Sequence, residues 1–175
     1  MNEKVLLNRK YIRQNNFDYS SDGMYFVTIC TYDKQQIFGH IYRRGDPCGL
    51  PQIEYSTLGQ IAIKRLEQFD IDNYMELDKS IDMPNHIHMI ITIYSQNADS
   101  HKGCHYTVSE VVGRYKSLVA HDWLNICKEK NEKMCKVWQR SFYDHIIRNE
   151  REYLKIWEYI DSSTAKWVDD EYYRI

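Results

Sequence analysis

An α+β fold, a ferredoxin-like antiparallel sheet backed by helices, is the architecture this sequence predicts, and three observations carry it. Short β-branched and aromatic runs recur along the chain, apolar residues at helical spacing separate them, and turn-forming residues mark the boundaries. In order, the segments read strand, strand, helix, strand, strand, helix, strand, helix. A helix-backed sheet with a central hairpin alternates in this way. With 175 residues, 43% apolar and 14% aromatic, the chain fits one domain over 1–175.

Gly23 supplies a turn before Met24–Thr31, whose Tyr-Phe-Val-Thr-Ile run predicts a central strand. A second strand covers Ile37 to Tyr42, and the Gly- and Pro-bearing stretch 44–51 is a loop. After Thr57, apolar Leu58, Ile61, Ala62, Leu66 and Phe69 fall on one helical face. Met75 to Ile81 is a strand that leads through Pro84 into another, ending near Tyr94. Residues 95–106 are polar and form a flexible loop. Thr107-Val108-Ser109-Glu110 is a capping box opening a helix to about Lys128. Phe142 to Ile147 is the last strand, and Asn149 caps a helix from Glu150 to about Ser162.

The bulk numbers exclude several classes. No run of eighteen apolar residues exists and the N-terminus lacks a secretion-signal core, which predicts a cytoplasmic protein. Five widely spaced cysteines with no Cys-x-x-Cys pair read as free thiols. A net charge of -2 argues against coating nucleic acid by charge alone. Residues 1–22 nevertheless form a basic arm, in which Arg9, Lys10 and Arg13 interleave with Tyr11, Phe17 and Tyr19, a pattern that suits single-stranded nucleic acid.

The chemistry concentrates in Met83-Pro84-Asn85-His86-Ile87-His88-Met89-Ile90-Ile91. Strand side chains alternate between faces, so His86 and His88 share one face, about 6.6 Å apart along the backbone, close enough for both rings to hold one ion. From the motif alone, a hydrogen-bonded structural pair stays open. On the last helix, Tyr153, Ile156, Trp157 and Ile160 form the apolar stripe while Tyr159 falls on its flank, with Lys155 one turn before and Ser163 one turn after. Tyr159 is either a boundary tyrosine or a nucleophile. A divalent ion polarising a phosphodiester while a tyrosine oxygen attacks it would join the two constellations.

The chain resembles the REP-associated tyrosine transposases, single-tyrosine, IS200-like members of the HUH superfamily. The resemblance spans Asp18-Tyr19-Ser20, Gly23-x-Tyr25-Phe26-Val27-Thr28-Ile29-Cys30-Thr31, Phe38-Gly39, Leu58-Gly59, Met83–His88, Val111-Val112-Gly113-x-Tyr115-Lys116-Ser117 and Trp138–Arg148. It implies the HUH transposase fold and a bacterial, nucleoid-associated enzyme that nicks and rejoins single-stranded DNA beside a palindromic hairpin through a 5′-phosphotyrosine. Tyr159 would be the nucleophile. His86 and His88 would bind magnesium or manganese, and the protein would be a monomer or homodimer.

Ser163-Thr164 stands where relatives carry Asn-Pro, leaving the third metal position to Ser163, Asp161 or water and allowing the last helix to run on. Arg9, Lys10, Arg13, Lys116, Trp138, Arg140, Arg148 and Lys155 are candidate DNA contacts. Asn85, Asp144 and His145 stand as second-tier site residues, Asp144 and His145 on opposite faces of their strand. Two readings compete with strand transfer: a catalytically silent hairpin-binding protein and a metal-dependent hydrolase acting elsewhere.

Overall fold

The computed structural model describes residues 23–42, 51–69, 75–94, 106–170 and 172–173. Arg9, Lys10 and Arg13 of the basic arm and the loop through 95–105 lie outside these. The described elements run β1 (Gly23–Cys30), β2 (Gly39–Tyr42), β3 (Gln52–Tyr55), α1 (Thr57–Glu67), β4 (Met75–Met83), β5 (His86–Ile93), α2 (Val108–Glu129), β6 (Tyr143–Ile147) and α3 (Glu150–Ser162). Four of the strands form an antiparallel sheet in the order β4-β5-β1-β6. With α1 and α2 as its crossovers, this is the ferredoxin-like arrangement predicted.

The sheet has two faces, and β5 shows how the sequence divides them. Ile87, Met89, Ile91 and Ile93 point to the side where α1 and α2 pack, joining Tyr25, Val27 and Ile29 of β1 in the main core. Each fully buried aliphatic side chain there contributes about 1.5–3 kcal/mol. The two helices are tied by a bidentate pair from Arg65 Nε and Nη2 to Asp122, at 2.5 and 2.8 Å. On the other face α3 packs across β4 and β5, where Ile160 meets Ile90 and Ile147 with Tyr153 and Ile156 alongside.

Local signals hold. Thr107 Oγ1 accepts from Glu110 N while the Glu110 carboxylate accepts from Thr107 N, a complete capping box. Asn149 Oδ1 accepts from Glu152 N and starts α3.

One strand was not foreseen: β3 pairs with β2 as a separate two-stranded ribbon. The Phe38-Gly39 and Leu58-Gly59 pairs make its attachment possible. A Cβ on Gly59 would stand 2.0 Å from the Phe38 carbonyl oxygen, and one on Gly39 2.3 Å from that of Glu54. The first turn of α1 therefore lies directly on the backbone before the ribbon. The last helix ends at Ser162 even without a proline, and a short 3₁₀ turn at Trp167–Asp169 folds the chain back.

Candidate metal centre and nucleophile

His86 and His88 lie on the α3 face of β5, 0% and 1% exposed. Their Nε2 atoms are 2.9 Å apart. The neighbours of His86 settle which of its nitrogens carries the proton. Asn85 Nδ2 donates to the carbonyls of Lys34 (3.0 Å) and Tyr172 (2.7 Å), so its Oδ1 is the acceptor facing His86 Nδ1 at 2.8 Å. His86 Nδ1 therefore bears the hydrogen and its Nε2 offers a lone pair. His88 Nδ1 pairs with Thr28 Oγ1 at 2.9 Å, on the strand directly opposite, and its Nε2 lies within hydrogen-bond distance, 3.2 Å, of the Tyr159 hydroxyl.

Burial, with His88 and Lys34 nearby, holds His86 well below the usual imidazole pKa, and burial pushes His88 down to about 3. Both rings are neutral at physiological pH, the form that ligates metal.

Asp170 completes the cluster, its Oδ2 4.0 Å from His86 Nε2. Two neutral imidazole nitrogens facing each other across 2.9 Å, beside a carboxylate, suit a divalent cation. Two ligands at about 2.1 Å on adjacent octahedral corners are about 3.0 Å apart. The residues present fit a divalent cation, and the hydrogen-bonded Nδ1 atoms supply the orientation that ligating histidines require.

The closing segment brings Asp170 here. Trp167 is buried with its ring 5.9 Å from that of His86, and the Tyr172 ring stacks on His86 at 4.6 Å. Lys34 Nζ lies over Tyr172 at 4.5 Å. Asp33 and Lys34 take left-handed backbone angles (φ 54° and 53°), turning the chain after β1 so that the Lys34 carbonyl reaches Asn85.

Tyr159 stands on the flank of α3, 39% exposed. The helix is held at both ends, which fixes where this hydroxyl points. At its start, the Glu152 carboxylate bonds His145 Nε2 (2.7 Å) and Arg148 N (2.8 Å). Farther on, the Tyr153 hydroxyl donates to Asp78 (2.8 Å), Lys79 Nζ donates to Asp161 (2.8 Å), and Lys79 lies over the Trp157 ring. A cavity of about 690 Å³ opens beside Tyr159, with Phe26, Thr28, His88 and Tyr143 on the sheet side and Ser163, Lys166, Asp170 and Tyr172 on the other.

The remaining sequence candidates divide plainly. Asp170, not Ser163 or Asp161, is the third acidic or imidazole group of the cluster. Ser163 lines the cavity, but its hydroxyl donates to the Tyr159 carbonyl at 2.8 Å, and Asp161 is paired with Lys79. Asn85 is a support of the metal pair. His145 shares the α3 face but is bound to Glu152, and Asp144 points to the other side.

Lys116 and Trp138 are used within the fold. Lys116 Nζ donates to the carbonyls of Gln139 (2.9 Å) and Ser141 (3.0 Å), and Trp138 Nε1 donates to the Lys116 carbonyl (3.0 Å). Burial lowers the Lys116 ammonium to about 8. Arg140 is exposed beside Tyr32, Lys34 and Lys136 in a second concavity, Arg148 is exposed at the end of β6, and Lys155 is exposed on α3 away from the cavity lining.

The site is an antiparallel sheet presenting a histidine pair, with a helix-borne tyrosine over it. A solved REP-associated tyrosine transposase bound to a REP hairpin superposes with a TM-score of 0.57, at 18% identity, covering 89% of this chain and 74% of that one. The chain shares the fold of that transposase. No family model matches it. A Haemophilus influenzae protein of uncharacterized function is 33% identical over 179 residues, 94% of this chain and 93% of that protein. The chain belongs to the family which that protein represents. Among the described residues no helix is long and apolar enough to cross a membrane.

Proposed function

We propose that this protein is a DNA strand transferase that cuts and rejoins single-stranded DNA next to a palindromic hairpin, with Tyr159 as nucleophile and a divalent cation, magnesium or manganese, held by His86, His88 and Asp170. The observation that carries the reading is the 3.2 Å approach of the Tyr159 hydroxyl to His88 Nε2, on the nitrogen pair that also meets Asp170. The fold shared with a hairpin-bound transposase supports the choice of substrate.

The bound cation supplies Lewis-acid polarisation of the scissile phosphodiester. Everything else is positioning by the chain. The two ends of α3 hold the Tyr159 oxygen against the cluster, so that it meets a phosphate already oriented there. The phosphorus gains a bond to the tyrosine oxygen and loses its bond to the 3′ oxygen of the preceding nucleotide. The proton given up by the phenol is balanced by the one that the departing 3′ hydroxyl takes up. The 5′-phosphotyrosine left behind keeps the energy of the broken bond for rejoining. Thr28 and Asn85 keep both imidazoles turned with Nε2 toward the cavity.

The test uses a hairpin oligonucleotide with single-stranded flanks and manganese. The wild-type chain is expected to give a covalent protein–DNA adduct that Tyr159→Phe does not give. An adduct retained by Tyr159→Phe overturns the assignment of the nucleophile, and free 5′-phosphate ends with no adduct overturn strand transfer in favour of hydrolysis.

A further inference from the structure

We infer that the part of the cavity beside α3 that reaches β6 is a nucleobase subsite, in which an unpaired base next to the scissile phosphate stacks on the ring of Tyr143 with Phe26 behind it. This rests on the strand-transfer reading and adds what grips the strand once its phosphate lies at Tyr159.

Three observations converge. Tyr143 opens β6, an edge strand of the described sheet, directly opposite Thr28 of β1, so its side chain rises on the His88 side of the sheet. It is 38% exposed, since α3 packs on β4 and β5. Phe26 links it to the nucleophile: its ring meets Tyr143 edge-on at 6.3 Å and Tyr159 edge-on at 6.1 Å. These rings form an aromatic floor that runs from the attacking hydroxyl to the sheet edge, and all three line the same cavity.

An exposed tyrosine alone is ordinary surface. Here it shares a concavity with the nucleophile and with Lys166, which lines it together with Asp169 and Asp170. Planar rings with a cation beside them suit single-stranded nucleic acid, and stacking accepts any base because every base has a π-face. The subsite therefore reads the presence of a base and not its identity.

The experiment places 2-aminopurine at each flank position in turn of the hairpin oligonucleotide and follows fluorescence on binding of the full chain without added metal. One position is expected to be quenched. Tyr143→Ala and Tyr143→Leu should lose that quench and bind about tenfold more weakly, the scale of one stacked base, while Tyr143→Phe retains both. An abasic site at that position should weaken wild-type binding about tenfold and leave Tyr143→Ala unaffected. Wild-type quenching in Tyr143→Ala, full binding by Tyr143→Leu, or an equal abasic penalty in both proteins overturns the subsite. Because the readout is binding, a protein that quenches yet forms no adduct refutes strand transfer alone. One that forms the adduct with an indifferent Tyr143 refutes the subsite alone.

Discussion

The two faces of the central sheet are made by the same strands and have opposite fates. On one, α1 and α2 cover Tyr25, Val27, Ile29, Ile87, Met89 and Ile91 completely. On the other, α3 packs mainly on β4 and β5, with Ile147, Met24 and Phe26 at its margin, and among the described residues a cavity opens beside it at Phe26, Thr28 and Tyr143 next to the histidine pair. A side chain one residue away along β5 thus changes from core filler to a member of the His86, His88 and Asp170 cluster. Incomplete cover on one face leaves room for a substrate, while completeness on the other holds the ligands still.

The sharpest way to break this comparison is to alter adjacent positions. His88→Ala should lower manganese-dependent adduct formation at least a hundredfold while changing the unfolding free energy by less than about 2 kcal/mol. Ile87→Ala should do the reverse, costing about 4 kcal/mol by denaturant unfolding and leaving manganese affinity within a few-fold. Equal effects of the two on both readouts would erase the distinction between the faces.

The covered face also holds a carboxyl the site does not use. Asp82, opposite Ile87, is buried with Oδ1 lacking a partner, and burial, helped by Glu67, raises its pKa to about 7 from 3.8. The raised folded value means that the fold favours the protonated form. Its contribution is best below about pH 4 and is lost as pH rises to about 7, on the order of 3–4 kcal/mol in all. The difference in unfolding free energy between wild type and Asp82→Asn, followed across that range, should grow with pH and level off above 7. A pH-independent difference would contradict the buried, unpaired carboxyl.

The smallest effect distinguishes two acids. Asp161→Ala should cost under about 1 kcal/mol and leave adduct yield within twofold, since its partner Lys79 is a surface ion pair. Asp170→Asn should weaken manganese binding tenfold or more in a direct titration. An interchange of these outcomes would move the third ligand back onto α3.

Much of this could be read from residue order alone, and the exceptions have physical causes. Alternation in β5, the Thr107–Glu110 box and the Asn149 cap are local patterns, and the structure follows them. The β3 strand escaped notice because Gln52-Ile53-Glu54-Tyr55 is a short ribbon away from the main sheet, next to Pro51 and with two exposed polar positions. Asp170 carried no signal. It is 84 residues from His86 in sequence and reaches the imidazoles only because the 3₁₀ turn at Trp167–Asp169 reverses the chain. The bond between Lys116 and Trp138 within the fold was not legible because it crosses 22 residues, a separation that no local pattern records. The place of Tyr159 on the flank of the apolar stripe was legible from helical periodicity, and the structure leaves it 39% exposed.

The central claim is that the hydroxyl on α3 meets a cation on the paired imidazoles, and identifying the DNA-linked peptide tests it most directly. Adduct formed with manganese and a flanked hairpin, digested and sequenced by mass spectrometry, should carry the nucleotide on Tyr159. A nucleotide on Tyr143 or Tyr172, which line the same cavity, or an adduct that forms equally well with His86 and His88 both changed to alanine, would contradict it.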